Sequence, residues 1–393
     1  MIANRESHYD YVIVGGGLQA GLLALAFNCH QPSAKVLLIE KSERLCGNHT
    51  WSFHATDVPA AARGWLASVS SKKWRAYAVK FPGFEKRINL GYESFSSAAL
   101  AEAINAVEKS GNLEIITGKT VRELTPTSIE TDCGFSVEAK VVLDCRGAEK
   151  ISNQQVGFQK FYGMEVELAD RDWPDALPTI MDATVEQTDG FRFFYVLPLT
   201  RRRVLIEDTF FSNSPTHDHQ SSATDIEKYL FDRDLQNWTV RREESGCLPM
   251  PFGSSLKPNG EFPLRGGFRG GWFHAATGYS FPLASRFADS VASASASDIS
   301  AVITSLAKQN QFQTNFSRFL NRLLFQLVTP EKRFLIFQRF YRSLNEQTIR
   351  RFYSHEFTKF DAARLLIGSP PQGLTPIKFF KSFKEKPCPA LQS

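Results

Sequence analysis

The chain has 393 residues with 46 Lys and Arg against 41 Asp and Glu, a net charge of +5 that gives no support to nucleic-acid binding. Its six cysteines, at 29, 46, 133, 145, 247 and 388, lack paired metal-ligand spacing. That pattern excludes a zinc ribbon or a disulfide scaffold and makes reduced thiols in a cytoplasmic setting the default. No charged-then-apolar leader, no bilayer-length apolar run and no repeat is present, so one large core in two joined lobes is expected.

The first element in chain order is an apolar strand, Tyr11-Val-Ile-Val, entering Gly15-Gly-Gly17-Leu and then a helix through Leu22–Phe27. Gly15 permits a tight turn, and Gly17 lets backbone approach a pyrophosphate placed on the helix N-terminus. Ala20 occupies the third fingerprint position, and Gly21 follows it. A second strand, Lys35–Ile39, ends in Glu40, an acid placed to accept ribose hydroxyls. Strand, turn, helix, strand and acid together point to a dinucleotide.

A helix over Ala98–Ser110 is expected next, capped by Ser96 or Ser97 and stopped by Gly111. A strand over Leu113–Thr117 follows, then a short meander over Thr120–Thr125 and Ser128–Thr131, and the chain returns as Phe135–Val137 and Lys140–Leu143. The last of these strands ends in Asp144-Cys-Arg-Gly147, which returns the chain to the cofactor sheet. This organisation is consistent with a glutathione-reductase-like, Rossmann-type α/β flavoprotein. Asp144 and Gly147 join the cofactor-binding candidates, although for Asp144 alone a strand ending in a plain tight turn is the favoured reading.

Strands are then predicted over Tyr162–Leu168, Thr179–Ala183, Phe191–Leu197 and Val204–Phe211, with a helix over Asp225–Asp234. Alternation along the last of these strands sends Leu205, Glu207 and Thr209 to one face and Ile206, Asp208 and Phe210 to the other. One carboxyl of the adjacent pair can therefore enter an aromatic cavity while its neighbour faces structure or water. An acid in apolar surroundings keeps its proton to higher pH, because burial penalises the anion. A structural reading of Glu207 also stands, as a strand-end acid paired with Arg201–Arg203. His49 and His54, beside Trp51 and Phe53, read as packed or hydrogen-bonded residues.

Phenylalanine is in excess, 33 against 10 Tyr and 6 Trp. A large aromatic core and a tunnel for a long apolar ligand both account for it. The chain is expected to rejoin the cofactor lobe at Phe268–Asp289, where Thr277, Gly278, Tyr279 and Ser280 precede a helix over Ala284–Ala294 and offer backbone N–H groups to a flavin or its phosphate. From Ile299 to Lys384 helices are predicted, with Arg and Lys among periodic apolar residues. Core packing accounts for the central ones, and a membrane surface for Lys378–Lys384. The expected division is a cofactor lobe of residues 1–157 and 268–300, a β-rich substrate lobe of 158–267, and a helical basic-aromatic region of 301–393.

Several ordered segments resemble the bacterial lycopene beta-cyclases. They are Gly15-Gly-Gly17-Leu, Gly47-Asn-His-Thr-Trp-Ser-Phe-His54, Trp74-Arg-Ala-Tyr-Ala-Val-Lys-Phe-Pro82, Asp144-Cys-Arg-Gly147, Pro178–Gln187, Gly190–Leu199, Leu205-Ile-Glu-Asp-Thr209 and Thr277-Gly-Tyr-Ser280. Where that family has Pro-Thr-Thr-Gly-Tyr-Ser, this chain has Ala275-Ala-Thr-Gly-Tyr-Ser280. The resemblance implies a noncovalent FAD working in its reduced form, NADPH or NADH as electron donor, and redox-neutral cyclisation of lycopene to beta-carotene through gamma-carotene. It also implies a peripheral site on the inner face of the cell membrane. It assigns the essential acid to Glu207, and two groups fit the first proton donor, Glu207 and the reduced flavin. A flavin-dependent hydroxylase or polyprenyl reductase, an epsilon-ring cyclase and a non-catalytic carotenoid carrier are the rival functions.

Overall fold

The computed structural model describes residues 8–148, 156–253 and 261–367. Strand β1 (His8–Val14) passes through the turn Gly15–Gly17 into helix α1 (Leu18–His30), then β2 (Val36–Ile39). Leu18 to Phe27 are buried on every side, as a helix must be when it is enclosed between a sheet and other helices. A small sheet follows, made of β3 (Thr50–His54), β4 (Lys72–Trp74) and β7 (Tyr92–Ser96). Between β4 and β7 lies a hairpin of β5 (Tyr77–Phe81) and β6 (Phe84–Ile88). Helix α3 (Ser97–Ser110) comes after the short α2 (Arg63–Leu66) in the chain, and the Ser96 hydroxyl caps it by accepting from Ala99 N. Strands β8 (Leu113–Ile116), β9 (Val121–Leu124), β10 (Ser128–Thr131) and β11 (Ser136–Asp144) complete the first half.

The cofactor-type sheet has the order β8-β2-β1-β11-β10-β9. β1 lies parallel to β2 on one side and to β11 on the other, so the carboxyl ends of all three converge where the strand order switches direction. Open α/β sheets bind ligands at such a point.

The second half contributes β12 (Val156–Leu168), β13 (Thr179–Asp182), β14 (Phe191–Pro198), β15 (Arg203–Ser212), helix α4 (His219–Phe231), β16 (Trp238–Pro251) and β17 (Leu264–Arg265). The large sheet runs β16-β12-β15-β14-β13-β5-β6. The sheets therefore cut the chain differently from the expected lobes. The β5–β6 hairpin, within residues 1–157, extends the second sheet by pairing β5 with β13. The return comes at Leu264, not 268, because β17 pairs in parallel with β11. A hairpin's own sequence fixes its turn but not the strand it will lie beside.

Helices α5 (Phe281–Ala292), α6 (Ile299–Arg322), α7 (Phe334–Ser343), α8 (Glu346–Tyr353) and α9 (Lys359–Leu366) follow. The expected core packing of the central helices is found: Phe337 on α7 stacks on Phe191 of β14 at 4.3 Å between ring centroids. One face of the large sheet packs on α4 through Ile206, Phe194, Ile226 and Leu230. The other, with Phe191, Phe193, Leu205 and Phe211, packs on the C-terminal helices. The basic-aromatic segment Lys378–Lys384 lies outside the described residues.

Candidate active site

The glycine turn is built for close approach. Gly15 has φ +104°, and a Cβ there would lie 2.8 Å from the Cys145 carbonyl oxygen, so only glycine fits. Gly17 begins α1 without a side-chain cap, and a Cβ on it would meet nothing within 4 Å. Glu40 stands at the end of β2, where Oε2 accepts from Gly16 N at 2.6 Å and Oε1 from Ser42 N at 2.9 Å. Two predicted members pack rather than line the turn. Ala20 is fully buried, and a Cβ on Gly21 would lie 2.8 Å from Ile104 Cδ1, so these residues let α1 settle on α3. Asp144 is also buried. It takes Arg146 Nε at 2.8 Å and Nη2 at 2.9 Å, while the exposed Gly147 follows with open space around it.

The second predicted loop joins this turn from the side. Gln19 Nε2 donates to Ala284 O near the start of α5, and Gln31 Nε2 donates to Ala292 O at its end. α1 and α5 therefore run parallel, with the N-terminus at Ser280 beside the one at Gly17. Neither has a side-chain cap. Two uncapped helix starts side by side present free N–H groups and two positive dipole ends, a fit for a pyrophosphate. The donor set is a cradle that fits a dinucleotide: the open N–H groups at the starts of α1 and α5 would take the phosphates, and Glu40 would take a ribose. Gly278 turns at φ +68°, and its N–H and that of Thr277 donate to His274 O at 2.9 and 3.1 Å. Tyr279 points away from the cradle: its hydroxyl donates to Asp57 Oδ2 at 2.7 Å and accepts from His54 N at 2.9 Å. A surface cleft of about 500 Å³ by Asp10, Tyr11, His30 and Gln31 lies at the other end of β1.

The acid pair separates as strand alternation requires. Asp208 faces α4, fully buried, and takes Arg192 Nε at 2.8 Å, Arg192 Nη2 at 2.9 Å and the Ser222 hydroxyl at 2.9 Å. Glu207 points to the aromatic face and is half-buried. Its strand neighbours are Tyr195 on β14 and Gly163 on β12. A Cβ on Gly163 would lie 2.6 Å from Glu207 Cγ, so the carboxyl arm lies over the glycine. Beyond Gly163, in the same row, stands Glu244 of β16. Burial first, and then the Glu244 carboxyl, push Glu207 well above the ordinary carboxylate range, against the pull of Arg242. The structural alternative for Glu207 does not hold. Arg203 bonds Glu165, Arg202 pairs with Asp172 at 3.3 Å, and Arg201 is exposed.

Phenols line the route from this acid toward the 277–280 loop. Tyr195 donates to Ser52 Oγ at 2.7 Å and meets the Tyr92 hydroxyl at 3.0 Å. His54 packs among Tyr92, Tyr77 and Tyr353, each at 5.5 Å, and its Nε2 is 3.1 Å from the Tyr77 hydroxyl, as expected of a hydrogen-bonded core histidine. Burial raises Tyr195, Tyr92, Tyr77 and Tyr279, so all four stay neutral. Gly278 rests on Gln159 of β12, four positions from Gly163 on the same face, or about 13 Å along the strand. The 277–280 loop thus meets the sheet on the face that carries the acid.

The family comparison decides what kind of site this is. Residues 10–378 match the model of the family described as lycopene cyclase protein. This chain belongs to the lycopene cyclase family. A lycopene beta-cyclase of Pseudescherichia vulneris is 36% identical over 370 residues, covering 92% of this chain and 94% of that one. That of Pantoea ananas is 37% identical over 373 residues, covering 93% and 96%. Among solved structures, a flavin-dependent brominase matches with TM-score 0.63 at 14% identity, covering 91% of this chain and 97% of its own. A probable FAD-dependent monooxygenase of Pseudomonas aeruginosa matches with TM-score 0.57 at 14% identity, covering 84% and 98%. The lycopene cyclase chain therefore has the Rossmann-type fold of FAD-dependent enzymes, as expected.

Three contributors went unseen in the sequence reading: Gly163, Glu244 and the whole of β16. The 14-residue β16 is an edge strand whose first half, Trp238-Thr-Val-Arg-Arg-Glu-Glu, is mostly charged and exposed. It lacks the apolar alternation by which strands are recognised. The β-formers Trp238, Thr239 and Val240 were the available signal.

Proposed function

We propose that this lycopene cyclase is a lycopene beta-cyclase that uses Glu207 as its proton donor and acceptor. The observation that carries the reading is the position of Glu207, a carboxyl on the aromatic face of the sheet with a second acid in its row, where burial and that acid raise its proton affinity. Glu207 gives its proton to the terminal trisubstituted double bond of lycopene. The neighbouring double bond attacks the tertiary cation and closes a six-membered ring. The Glu207 carboxylate then takes a ring proton back, leaving a beta-ionone ring. One proton enters and one leaves, with no electrons transferred. The faces of Phe193 and Tyr195 attract the cation, and the apolar wall keeps water from it. Bound in the cradle of Gly15, Gly17, Glu40 and Ser280, reduced FAD supplies an electron-rich surface that stabilises positive charge, with NADPH or NADH as the electron donor.

Cyclisation of both ends gives beta-carotene by way of gamma-carotene. Lycopene is a membrane solute, so the enzyme works as a cytoplasmic protein resting on the inner face of the cell membrane. No helix among the described residues is long and apolar enough to cross a bilayer. Phe360 and Ile367 of the α9 region, 76% and 73% exposed, offer an apolar contact.

The test is an anaerobic assay with FAD, NADPH and lycopene in liposomes, with pigments separated by chromatography. The parent is expected to form beta-carotene with little NADPH consumed per ring. Glu207→Gln is expected to lose about 10²–10⁴-fold in rate while retaining FAD. NADPH consumed one for one with a hydrogenated or oxygenated product identifies an oxidoreductase instead, and a fully active Glu207→Gln removes Glu207 from the mechanism.

A further inference from the structure

Glu207 and Glu244 face each other across a missing side chain. Gly163 of β12 pairs with Glu207 of β15 on one side and with Glu244 of β16 on the other. The three positions form one row, so the two acids start two strand spacings apart, about 10 Å. Any side chain at 163 would fill that gap, since even a Cβ would lie 2.6 Å from Glu207 Cγ. With glycine there, no side chain stands between the two acids in the row, and Glu244 is among the groups that raise the proton affinity of Glu207.

The two carboxyls differ in their other partners. Glu244 Oε2 accepts from Arg242 Nη1 at 2.6 Å and from the Thr50 hydroxyl at 3.1 Å. Arg242 is itself fixed by Glu165 at 3.2 Å, by Asn48 Oδ1 at 3.1 Å and by Thr50 Oγ1 at 2.7 Å. Glu244 Oε1 is buried and receives no N–H or alcohol donor among the described residues. A buried acceptor in that state is destabilising unless a proton is placed on it or beside it. Among the described residues no arginine forms an ion pair with Glu207, and Arg242 acts on it only as a nearby charge.

We propose that Glu207 and Glu244 form a carboxyl pair sharing one proton over Gly163, with Glu244 the anchored carboxylate and Glu207 the member that carries the proton. The pair rests on Glu207 being the acid of the cyclisation, and it explains how that acid is loaded and reloaded. In the resting pair the Glu207 hydroxyl donates to Glu244 Oε1. When Glu207 passes its proton to the polyene, two carboxylates face each other, with Arg242 bonded to Glu244 as the nearby positive charge. Their repulsion makes Glu207 a strong base, and it recovers a proton from the ring. Proton count and charge return to the starting state. Glu244 is thus a positioning residue, acting through Glu207.

The other groups facing the pair leave this assignment intact. The Tyr195 and Tyr92 phenols are neutral, Arg242 and Arg203 are committed to Glu165, and burial holds His49 low. Glu244→Gln keeps an acceptor for Arg242 and for the Glu207 hydroxyl but removes the negative charge. The alkaline limb of the cyclisation profile is then expected to move down by about one pH unit. FAD binding and the melting temperature stay near the parent values. Gly163→Ala, which pushes Glu207 away from Glu244, is expected to move the limb the same way.

Infrared difference titration reads the pair without turnover. A protonated carboxyl band present at neutral pH should vanish in Glu207→Gln and titrate at lower pH in Glu244→Gln. An unchanged band and pH limb in a folded Glu244→Gln protein overturn the pair. If the band behaves as expected but Glu207→Gln still cyclises lycopene, the pair stands and Glu207's catalytic role falls.

Discussion

At the scale of single residues, two adjacent acids have opposite thermodynamic roles. Asp208 exchanges water for Arg192 and Ser222, so its burial is compensated. Glu207 exchanges water for aromatic rings and another carboxyl, and its ionisation is disfavoured. Its folded-state affinity for a proton is raised above that of the unfolded chain. The stability linked to this proton is therefore complete below the unfolded carboxyl range near pH 4, and it is lost as pH rises toward the folded value. Glu207→Gln removes that loss. Its melting temperature should exceed the parent's most at alkaline pH, with the difference shrinking as pH falls toward 4. Calorimetry across pH checks this, and a parent equally stable at both ends contradicts it. The residue that makes the chemistry work lowers stability at the pH where it works.

At the scale of elements, the turn joining β1 to α1 separates backbone demands from ligand demands. Gly15→Ala places a Cβ against the backbone of Cys145 at positive φ, and about 1–3 kcal/mol of strain follows. Gly17→Ala meets nothing in the protein. It should leave unfolding unchanged while its methyl group obstructs a pyrophosphate. Denaturant unfolding together with flavin fluorescence separates the two: Gly15→Ala loses both stability and FAD, Gly17→Ala loses FAD affinity alone. The elements around this turn were legible because strand, glycine turn and helix each leave a local mark in the sequence. β16 left a weak one. Its first half is charged edge strand, held by pairing with β12 and by salt bridges such as Arg241 to Glu167 at 2.6 Å.

At the scale of the whole molecule, the second sheet lies between α4 and the C-terminal helices, and only the face toward those helices carries Glu207, Tyr195 and the phenylalanine wall. Much of the phenylalanine excess is explained there. Phe191, Phe193, Phe211 and Phe337 stack edge and face at 4.3 to 5.8 Å. Phe360 and Ile367 remain outside this packing, exposed in the α9 region. Replacing both by Ser should leave FAD binding intact and weaken sedimentation with liposomes several-fold, since each apolar side chain withdrawn from a bilayer forfeits part of about 1.5–3 kcal/mol. Unchanged sedimentation places the membrane contact elsewhere.

The sequence by itself determined what is local. Period-two alternation separated Glu207 from Asp208, the glycines marked the turn after β1, and Glu40 closed β2. Tertiary structure alone decided what stands opposite what. It brought Glu244 to Glu207 across Gly163, set α5 parallel to α1 so that two helix starts meet, and added the β5–β6 hairpin to the second sheet. The physical reason is that alternation fixes the side of a sheet toward which a residue points. Its neighbour in the row is set by strand order and register, which depend on pairing between segments far apart in the chain.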